Sequence, residues 1–408
     1  MWELIRANRR RTVLLVAGMA ALLVLTGYAL GELLAPGAGP GGLAVALVVW
    51  IGLALVSYFA GDRILLATSG ARKIRKSDHP VLWNVVEEMC IAAGLPTMPD
   101  VCILDSGAPN AFATGRTPER SAVVVTAGLL ERLDRDELQG VIAHELGHVK
   151  NRDVLYLTMV GIMLGSIVML ADAGTRMLGR GGGARRTSRS RAGGGQAIVA
   201  VVALALVVLA PIVAQLMYFA LSRRREYLAD ACSALFTRYP EGLARALEKI
   251  EHHKQPLGAA NRATAPMYIV NPLVGGERGL AGLSRTHPPT SERVRILRAL
   301  GGGGGRLSFA GYDEAFRRVT GRAVGVVPAG SLRAVEPVEA RAATAPDSRS
   351  KVERVRQATD SLWRLQDYAF LACPCGSTTK VPPEHAGCEI PCPQCGRAQR
   401  VGSTGAGA

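Results

Sequence analysis

Aromatic side chains are scarce in this 408-residue chain, at 5% of the sequence, and acidic residues are outnumbered by basic ones, 33 to 48. Histidine occurs only seven times and cysteine only eight times. Charged residues make up 20% against 49% hydrophobic residues, and the mean hydropathy is +0.19. This balance excludes a disordered chain, a fibrous protein and a small disulfide-stapled secreted module. The length predicts roughly two or three domains with an ample core.

The net charge of +15 comes mainly from arginine, and its placement separates two interpretations. A basic chain can bind nucleic acid, or it can be a membrane protein whose spans are flanked by basic residues. Here the arginine clusters adjoin long apolar runs, as at Arg9–Arg11, Arg72–Lys76 and Arg223–Arg225. We therefore favour the membrane interpretation over nucleic-acid binding or a solvated basic surface.

The first two apolar runs cover residues 13–34 and 43–66, and a short Gly/Pro-rich turn separates them. Each run has about the 20 residues that cross a bilayer as a helix. Basic residues lie before the first run and after the second, and such residues favour the cytoplasmic side of a membrane. The pattern predicts a transmembrane hairpin over residues 1–66 with both of its ends in the cytoplasm.

Two further apolar runs, residues 154–170 and 196–221, predict either more membrane helices or buried helices of a soluble core. The loop between them, residues 179–195, is rich in arginine. If both runs span, that basic loop lies outside, against the positive-inside tendency. The depth of this second pair in the bilayer stays open.

The sequence His144-Glu145-Leu-Gly-His148 carries the clearest chemical signal. Asp134 is predicted to cap the start of a helix whose apolar residues recur at helical spacing. Residues four apart share one helix face, so both imidazoles can bind one metal ion beside Glu145, which can deprotonate a water. A chance pair of core histidines is the weaker interpretation.

A catalytic zinc site needs a third protein ligand and one open position. Glu226 is the candidate, and Asp230, one helical turn further, can accept the free ring N–H of His144. The alternative is an ordinary solvated Arg/Glu/Asp face. The HExxH motif precedes the second pair of apolar runs, and the Glu226/Asp230 motif follows it. If this pair crosses the membrane twice, or not at all, both motifs lie on the same side, as one shared zinc ion requires.

HExxH followed by ExxxD, with paired apolar runs before and between the motifs, resembles the HtpX-like membrane metalloproteases of the gluzincin type. Residues 109–115 resemble the family's Asn-Ala-Phe segment on the strand beside the cleft, and residues 121–126 resemble the next strand. Residues 286–293 resemble its His-Pro motif. The resemblance covers about residues 1–300.

The resemblance implies a mainly α fold with a small β-sheet, in which multi-pass membrane helices accompany a zincin-type α+β catalytic domain. That metalloprotease domain would cover residues 67–300, interrupted by apolar helices at 154–178 and 196–221. It also implies Zn²⁺ held by the two histidines and the glutamate of the motifs, with Glu145 passing a proton from water to the leaving amine.

Three residues would contact the substrate, according to the same resemblance. Asn110 would hold the peptide backbone as an added strand. His287 would face the tetrahedral oxyanion, with Arg293 near it. The implied activity is cleavage of damaged or misfolded membrane proteins on the cytoplasmic side of the inner membrane.

Two other functions are compatible with parts of the sequence. A prenyl-protein-type endopeptidase of the same clan would need a larger helical cage, and four apolar runs are too few to build one. A non-catalytic membrane scaffold with two structural zinc ions would have no need of the general base Glu145.

The C-terminal part departs from the short form of this protease family. Residues 301–360 predict a flexible linker, which contains one short amphipathic piece, Tyr312 to Val319, and then a stretch rich in Ala, Pro, Arg and Ser over residues 321–360. Residues 361–408 predict a zinc-ribbon-like module, whose four ligands would be Cys373, Cys375, Cys392 and Cys395. The rival, a disulfide pair, does not suit a reducing cytoplasm. Few aromatic residues are available for base stacking, so we expect the module to contact a protein rather than nucleic acid.

Overall fold

The computed structural model begins with two long helices, α1 (Trp2–Leu34) and α2 (Gly39–Ser69), that pack against each other. Glycine allows their close approach: a Cβ on Gly27 would lie 2.4 Å from Ala46 Cβ, and one on Gly42 would lie 2.3 Å from the Gly27 carbonyl oxygen. In a bilayer the hydrophobic effect does not drive helices together, and small residues at the interface allow their backbones to pack closely.

Among the described residues, α2 is the one helix that is long and apolar enough to cross a membrane, with a mean hydropathy of 2.4 in its most apolar window. Only 11% of that window is buried inside the protein, so its apolar side chains face outwards. The apolar part of α1 is shorter, Val16–Glu32. The helices form the hairpin expected for residues 1–66, and the crossing of both stays a prediction.

The structure describes residues 2–35, 37–154, 209, 212–213, 223–253, 268–269, 288–302, 306–327, 332, 336–344 and 349–402. The second pair of apolar runs, apart from Val154 and residues 209, 212 and 213, lies outside these residues. The arginine-rich loop between those runs and His287 lie outside them as well.

A four-stranded sheet follows the hairpin, in the order β1 (Arg72–Lys73), β2 (Asp100–Leu104), β4 (Arg120–Thr126), β3 (Ala111–Thr117). Strands β2 and β4 are parallel, and the other pairs are antiparallel. Buried β-branched residues in β4 favour the extended backbone. The two strands predicted at residues 109–115 and 121–126 correspond to β3 and β4.

Helices α3 (Pro80–Ala93), α4 (Ala127–Arg132), α5 (Arg135–Lys150), α6 (described over residues 223–237), α7 (Pro240–His252) and α8 (Thr290–Gly301) build the rest of the catalytic domain. Helix α5 is central, because it packs on α3, α7 and strand β3. Almost every residue of α5 is buried. Glycine again permits close packing, since a Cβ on Gly140 would lie 2.6 Å from the Leu243 backbone nitrogen.

The prediction of a flexible linker over residues 301–360 is wrong for the described part of that segment. It contains β5 (Arg306–Leu307), which pairs with β6 (Val338–Glu339), and helix α9 (Phe309–Thr320). Helix α10 (Lys351–Leu365) packs on α4, so the boundary placed at residue 361 falls inside a helix.

Helix α9 contains the short amphipathic piece expected at Tyr312–Val319. Phe309, Tyr312 and Phe316 are buried on one narrow face, whereas the rest of the helix is largely polar. The ring of Phe316 lies edge-on to that of Tyr227 in α6, with centroids 4.9 Å apart.

The C-terminal module consists of two short antiparallel hairpins. Strands β7 (Ala369–Ala372) and β8 (Thr378–Val381) form the first, and β9 (Glu389–Pro391) and β10 (Ala398–Arg400) form the second. A single turn of 3₁₀ helix, Pro383–His385, connects the hairpins. Such a module has too little core to be stable without a cross-link or a metal ion.

Candidate active site and metal centres

Helix α5 carries the HExxH motif and starts at a capping box. The Asp134 side chain accepts a hydrogen bond from the Glu137 backbone N–H, and the Glu137 carboxylate accepts one from the Asp134 N–H. This confirms the predicted helix start. Further along, His144 and His148 are buried on one face, with ring centroids 4.9 Å apart and planes at 88°. Glu145 lies between them in sequence and is also buried.

Helix α6 brings Glu226 up to both imidazoles. Its Oε2 lies 3.5 Å from His144 Nε2, and its Oε1 lies 3.4 Å from His148 Nε2. Ligand atoms of the three residues all lie within 4.8 Å of one another. Tetrahedral bonds of about 2.0–2.1 Å to zinc place their ligand atoms about 3.4 Å apart.

One further observation tests the fit to a metal. The Nε2 of His144 is buried and makes no hydrogen bond within the described part of the chain. A buried imidazole nitrogen normally has a partner, so this atom points to a ligand. Two imidazoles and a carboxylate are the donors of catalytic zinc sites that keep a fourth position open. The residues present therefore fit Zn²⁺.

A second glycine contact explains how α6 reaches α5. A Cβ on Gly147 would lie 3.0 Å from Cys232 Cβ and 3.4 Å from the Ala229 Cα. Because position 147 has no side chain, the backbone of α6 can lie against α5. This packing fixes the distance between the carboxylate of Glu226 and the two imidazoles.

Asp230 lies behind His144, where the sequence predicted it. Its Oδ1 is 3.0 Å from His144 Nδ1. Arg293 holds the same carboxylate from the other side, donating from Nε to Oδ2 at 2.8 Å and from Nη2 to Oδ1 at 2.6 Å. Burial opposes ionisation of Asp230, but the charge and hydrogen bonds of Arg293 keep the pKa of Asp230 below its ordinary value.

Arg293 lies among the ligands and the carboxylate behind them. Its guanidinium is 1% exposed and has both prongs on Asp230, and Nη1 lies 3.7 Å from Glu226 Oε2. Its expected place near the oxyanion stays a prediction.

The two imidazoles lie in a negative potential. Burial alone would lower the pKa of a histidine, but the carboxylates of Asp153 and Glu226 raise the pKa of His148 to about 10. The pKa of His144 is raised as well, by Asp230 and Glu226 against the effect of burial. Surroundings that favour a positive charge this strongly also favour a divalent cation.

Asn110 is buried just before strand β3, beside the end of β4. Its carbonyl oxygen accepts from the Thr126 N–H at 3.0 Å, and its Oδ1 accepts from the Ala111 N–H at 3.0 Å. The side chain thus shapes the start of β3, and its contact with substrate stays a prediction. His287 lies outside the described residues, so its role as an oxyanion donor also stays a prediction.

Sequence reasoning missed Asp153. This residue lies five positions after His148, and its Oδ2 is 3.4 Å from His148 Nδ1. Its position depends on the end of α5, where Asn151 is the C-cap and Arg152 has a left-handed backbone with φ 57°, and no local pattern in the sequence indicates this. At this helix end, the side chain of Asp153 lies against the last turn of α5.

The four cysteines of the C-terminal module converge. Ligand atoms of Cys373, Cys375, Cys392 and Cys395 lie within 4.8 Å of one another. The Sγ atoms of Cys373 and Cys395 are 3.5 Å apart, and those of Cys375 and Cys392 are 3.7 Å apart. Tetrahedral Zn–S bonds of about 2.3 Å place sulfurs about 3.7 Å apart, whereas a disulfide requires about 2.05 Å. All eight cysteines are free thiols.

The hydroxyl of Ser377 contacts two of these thiols. Its Oγ lies 3.1 Å from the sulfurs of both Cys375 and Cys392. This hydrogen bonding lowers the pKa of Cys375 and lowers that of Cys392 to about 6. The thiolate is the form that binds metal. Outside the cluster, Cys90, Cys102 and Cys232 are buried, as expected for small apolar residues.

Most of this chain is similar in sequence to known proteins. Residues 77–300 match the model of peptidase family M48. A protein named Protease HtpX homolog from Dictyoglomus thermophilum is 46% identical over 300 residues, which cover 74% of this chain and 95% of that protein. The protein of the same name from Syntrophobacter fumaroxidans is 43% identical over 298 residues, covering 72% of this chain and 99% of the relative.

Among solved structures, the crystal structure of S. mikatae Ste24p is similar at 19% sequence identity and a TM-score of 0.36. That match covers 72% of this chain and 66% of Ste24p. The family assignment depends on the sequence matches, which span the HExxH helix, Glu226 and Asp230. The chain belongs to peptidase family M48, and it is an HtpX-like zinc metalloendopeptidase of the membrane.

Proposed function

We propose that this endopeptidase cleaves damaged or misfolded proteins, membrane proteins among them, on the cytoplasmic side of the membrane. His144, His148 and Glu226 would hold the zinc ion, and Glu145 would be the general base. The observation that carries the proposal is the convergence of the three ligand side chains next to Glu145 on a buried helix.

A zinc ion bound there supplies a Lewis acid for the scissile carbonyl and a more acidic water. Glu145 accepts the proton of the attacking water on its carboxylate and then donates that proton to the leaving amine. Asp230 accepts the Nδ1–H of His144, which leaves Nε2 of that ring with its lone pair facing the site. Burial keeps these groups away from bulk water, which strengthens each interaction.

The cytoplasmic orientation is inferred from charge and chain order. Basic residues lie before the α1 apolar stretch and directly after α2, at Arg72–Lys76. The catalytic sheet begins with β1 at Arg72–Lys73, so the protease domain starts on the side of those basic residues. The HtpX names of the relatives favour this activity over the prenyl-protein alternative.

The test replaces the base and leaves the ligands in place. We expect Glu145→Gln to keep its active-site zinc and to lose cleavage of unfolded casein by at least about 100-fold, the usual scale of general-base catalysis. Peptidase activity and zinc content of the detergent-purified protein are measured together. Glu87→Gln, at a surface residue paired with Lys76, is the matched control and should cleave like wild type. Undiminished proteolysis by Glu145→Gln would refute the assigned base.

We further propose that the C-terminal module holds a second, structural zinc ion through its four converging cysteines. A closed Cys₄ site contributes directly to folding. The exposed surface of the bound module would then be available to a protein partner.

Cys392→Ser should lower total zinc by about one ion per chain while the zinc bound by His144 and His148 remains. Cys388→Ser is the matched control, because Cys388 is exposed and lies outside the cluster. Metal analysis of both variants decides the matter: equal zinc content in Cys392→Ser and wild type means that the cysteines do not bind zinc.

A further inference from the structure

The two imidazoles of the metal centre have similar surroundings on the side away from Glu226. His144 Nδ1 faces Asp230 at 3.0 Å, and His148 Nδ1 faces Asp153 at 3.4 Å. Both carboxylates are fully buried, with 0% exposure. Each ring therefore has Glu226 near Nε2 and its own separate carboxylate near Nδ1.

Each of these carboxylates is in turn adjacent to a buried arginine. Arg293 forms a two-pronged pair with Asp230. Arg225, the residue before Glu226 on α6, has its Nε 3.8 Å from Asp153 Oδ1. Both arginines are at most 5% exposed.

These ion pairs join different parts of the chain. The Arg293–Asp230 pair connects α8 to α6 behind His144, and the Arg225–Asp153 pair connects α6 to the turn after α5 behind His148. That turn depends on the left-handed backbone of Arg152, whose side chain is exposed. A non-glycine residue disfavours this conformation, so the surrounding structure must hold the turn in place.

We propose that Asp153, backed by Arg225, is the positioning residue for His148, in parallel with Asp230 and Arg293 behind His144. This inference rests on the proposed zinc site. A carboxylate that accepts the Nδ1–H fixes the tautomer and the plane of the ring, so that Nε2 presents its lone pair to the metal. The arginine places its positive charge near the other oxygen of that carboxylate, with Arg225 Nε 3.8 Å from Asp153 Oδ1.

The arginines also balance the charge of the centre. Glu226, Asp153 and Asp230 together bring three negative charges into a buried region, and Arg225 and Arg293 bring two positive ones. With Zn²⁺ added, the formal net charge of this set is +1, and the carboxylate of Glu145 brings it to zero. Isolated buried charges are costly, and paired ones are tolerated.

The experiment compares three isosteric variants of the full-length, detergent-solubilised protein loaded with Co²⁺: Asp153→Asn, Asp230→Asn and Asp136→Asn. Co²⁺ at His144 and His148 gives weak visible bands, which are obtained by subtracting the spectrum of Co²⁺-loaded His148→Ala so that the stronger bands of the cysteine site cancel. The readouts are the position of the weak bands and the chelator concentration that removes them. Asp136 is the matched control, since it is a buried aspartate of α5 paired with Arg341, away from the imidazoles.

We expect Asp153→Asn and Asp230→Asn each to weaken metal binding at this site by about 10–100-fold and to shift the bands. Asp136→Asn should lower thermal stability and leave both metal readouts unchanged. Wild-type bands and affinity in folded Asp153→Asn would overturn the inference. If Asp153→Asn does not fold, Arg225→Gln replaces it under the same two readouts, with the same expectation.

The same experiment distinguishes a failure of the proposed zinc site from a failure of the positioning role of Asp153. If wild type binds no Co²⁺ at the histidines, the proposed function fails. If wild type binds and only the Asp153 variant is indistinguishable from it, the positioning role alone is wrong.

Discussion

At the scale of single residues, burial and a few specific partners decide the chemistry of this protein. His79 illustrates this away from the active site. It is buried at the start of α3, where its Nδ1 accepts a hydrogen bond from the Leu82 N–H. Burial, together with the positive charges of Arg349 and Arg364, lowers the pKa of His79 to about 4. The folded protein thus keeps this ring neutral.

The pH dependence of stability follows from that lowered pKa. In the unfolded chain the His79 pKa is about 6.5, so the unfolded state takes up the proton first as pH falls. The contribution is fully present above pH 6.5 and is lost as pH falls towards 4. At pH 5 the loss amounts to about 2 kcal/mol.

His79→Asn keeps a capping acceptor and removes the titration. We expect its melting temperature to fall less than that of wild type between pH 7.5 and pH 5. His252→Asn, at an exposed histidine, should follow wild type over the same range. Identical pH profiles for His79→Asn and wild type would contradict the assignment.

At the scale of elements, the catalytic site depends on helices that approach more closely than most side chains allow. Gly140 faces α7 and Gly147 faces α6, and both glycines lie on the HExxH helix. The sequence predicted α5, its cap and the helical face of its histidines, because these depend on local spacing. The sequence does not indicate that these two glycines are packing contacts, because the backbones of α6 and α7 that they contact are distant in the chain.

Gly140→Ala is expected to destabilise the protein by about 1–3 kcal/mol, because its Cβ would overlap the Leu243 backbone nitrogen at 2.6 Å. Thermal unfolding of the detergent-solubilised protein measures the change. Gly301→Ala, at a helical position with nothing within 4 Å, should be neutral or slightly stabilising. A Gly140→Ala protein as stable as wild type would show that α7 can shift without cost.

At the scale of the whole molecule, the C-terminal part is bound to the catalytic domain rather than merely tethered to it. Arg341 donates from Nη2 to Asp136 Oδ1 and to Gln139 Oε1, each at 2.8 Å. Its Nε donates to the Thr237 carbonyl at 2.8 Å. One arginine of the predicted linker thus connects to both the start of the HExxH helix and the end of α6.

Arg341→Met should therefore destabilise the catalytic domain by about 2–3 kcal/mol, because it leaves the buried Asp136 without its counter-charge. Arg356→Met is the control, since Arg356 is a mostly exposed arginine of α10, and it should change stability by less than about 0.5 kcal/mol. Equal melting temperatures for the two variants would mean that residues 336–344 do not support the protease domain.

The chemistry follows from local spacing in the chain: HExxH on a helix, a glutamate and an aspartate one turn apart, four cysteines in two knuckles and an apolar hairpin are all such patterns. The identity of the buried groups behind the ligands depends on tertiary contacts. Asp153, Arg225 and Arg293 acquire their positions from helix ends and helix packing, and the ordered C-terminal segment depends on single long-range pairs such as Arg341 with Asp136. Such contacts join residues far apart in the chain, so no local periodicity records them.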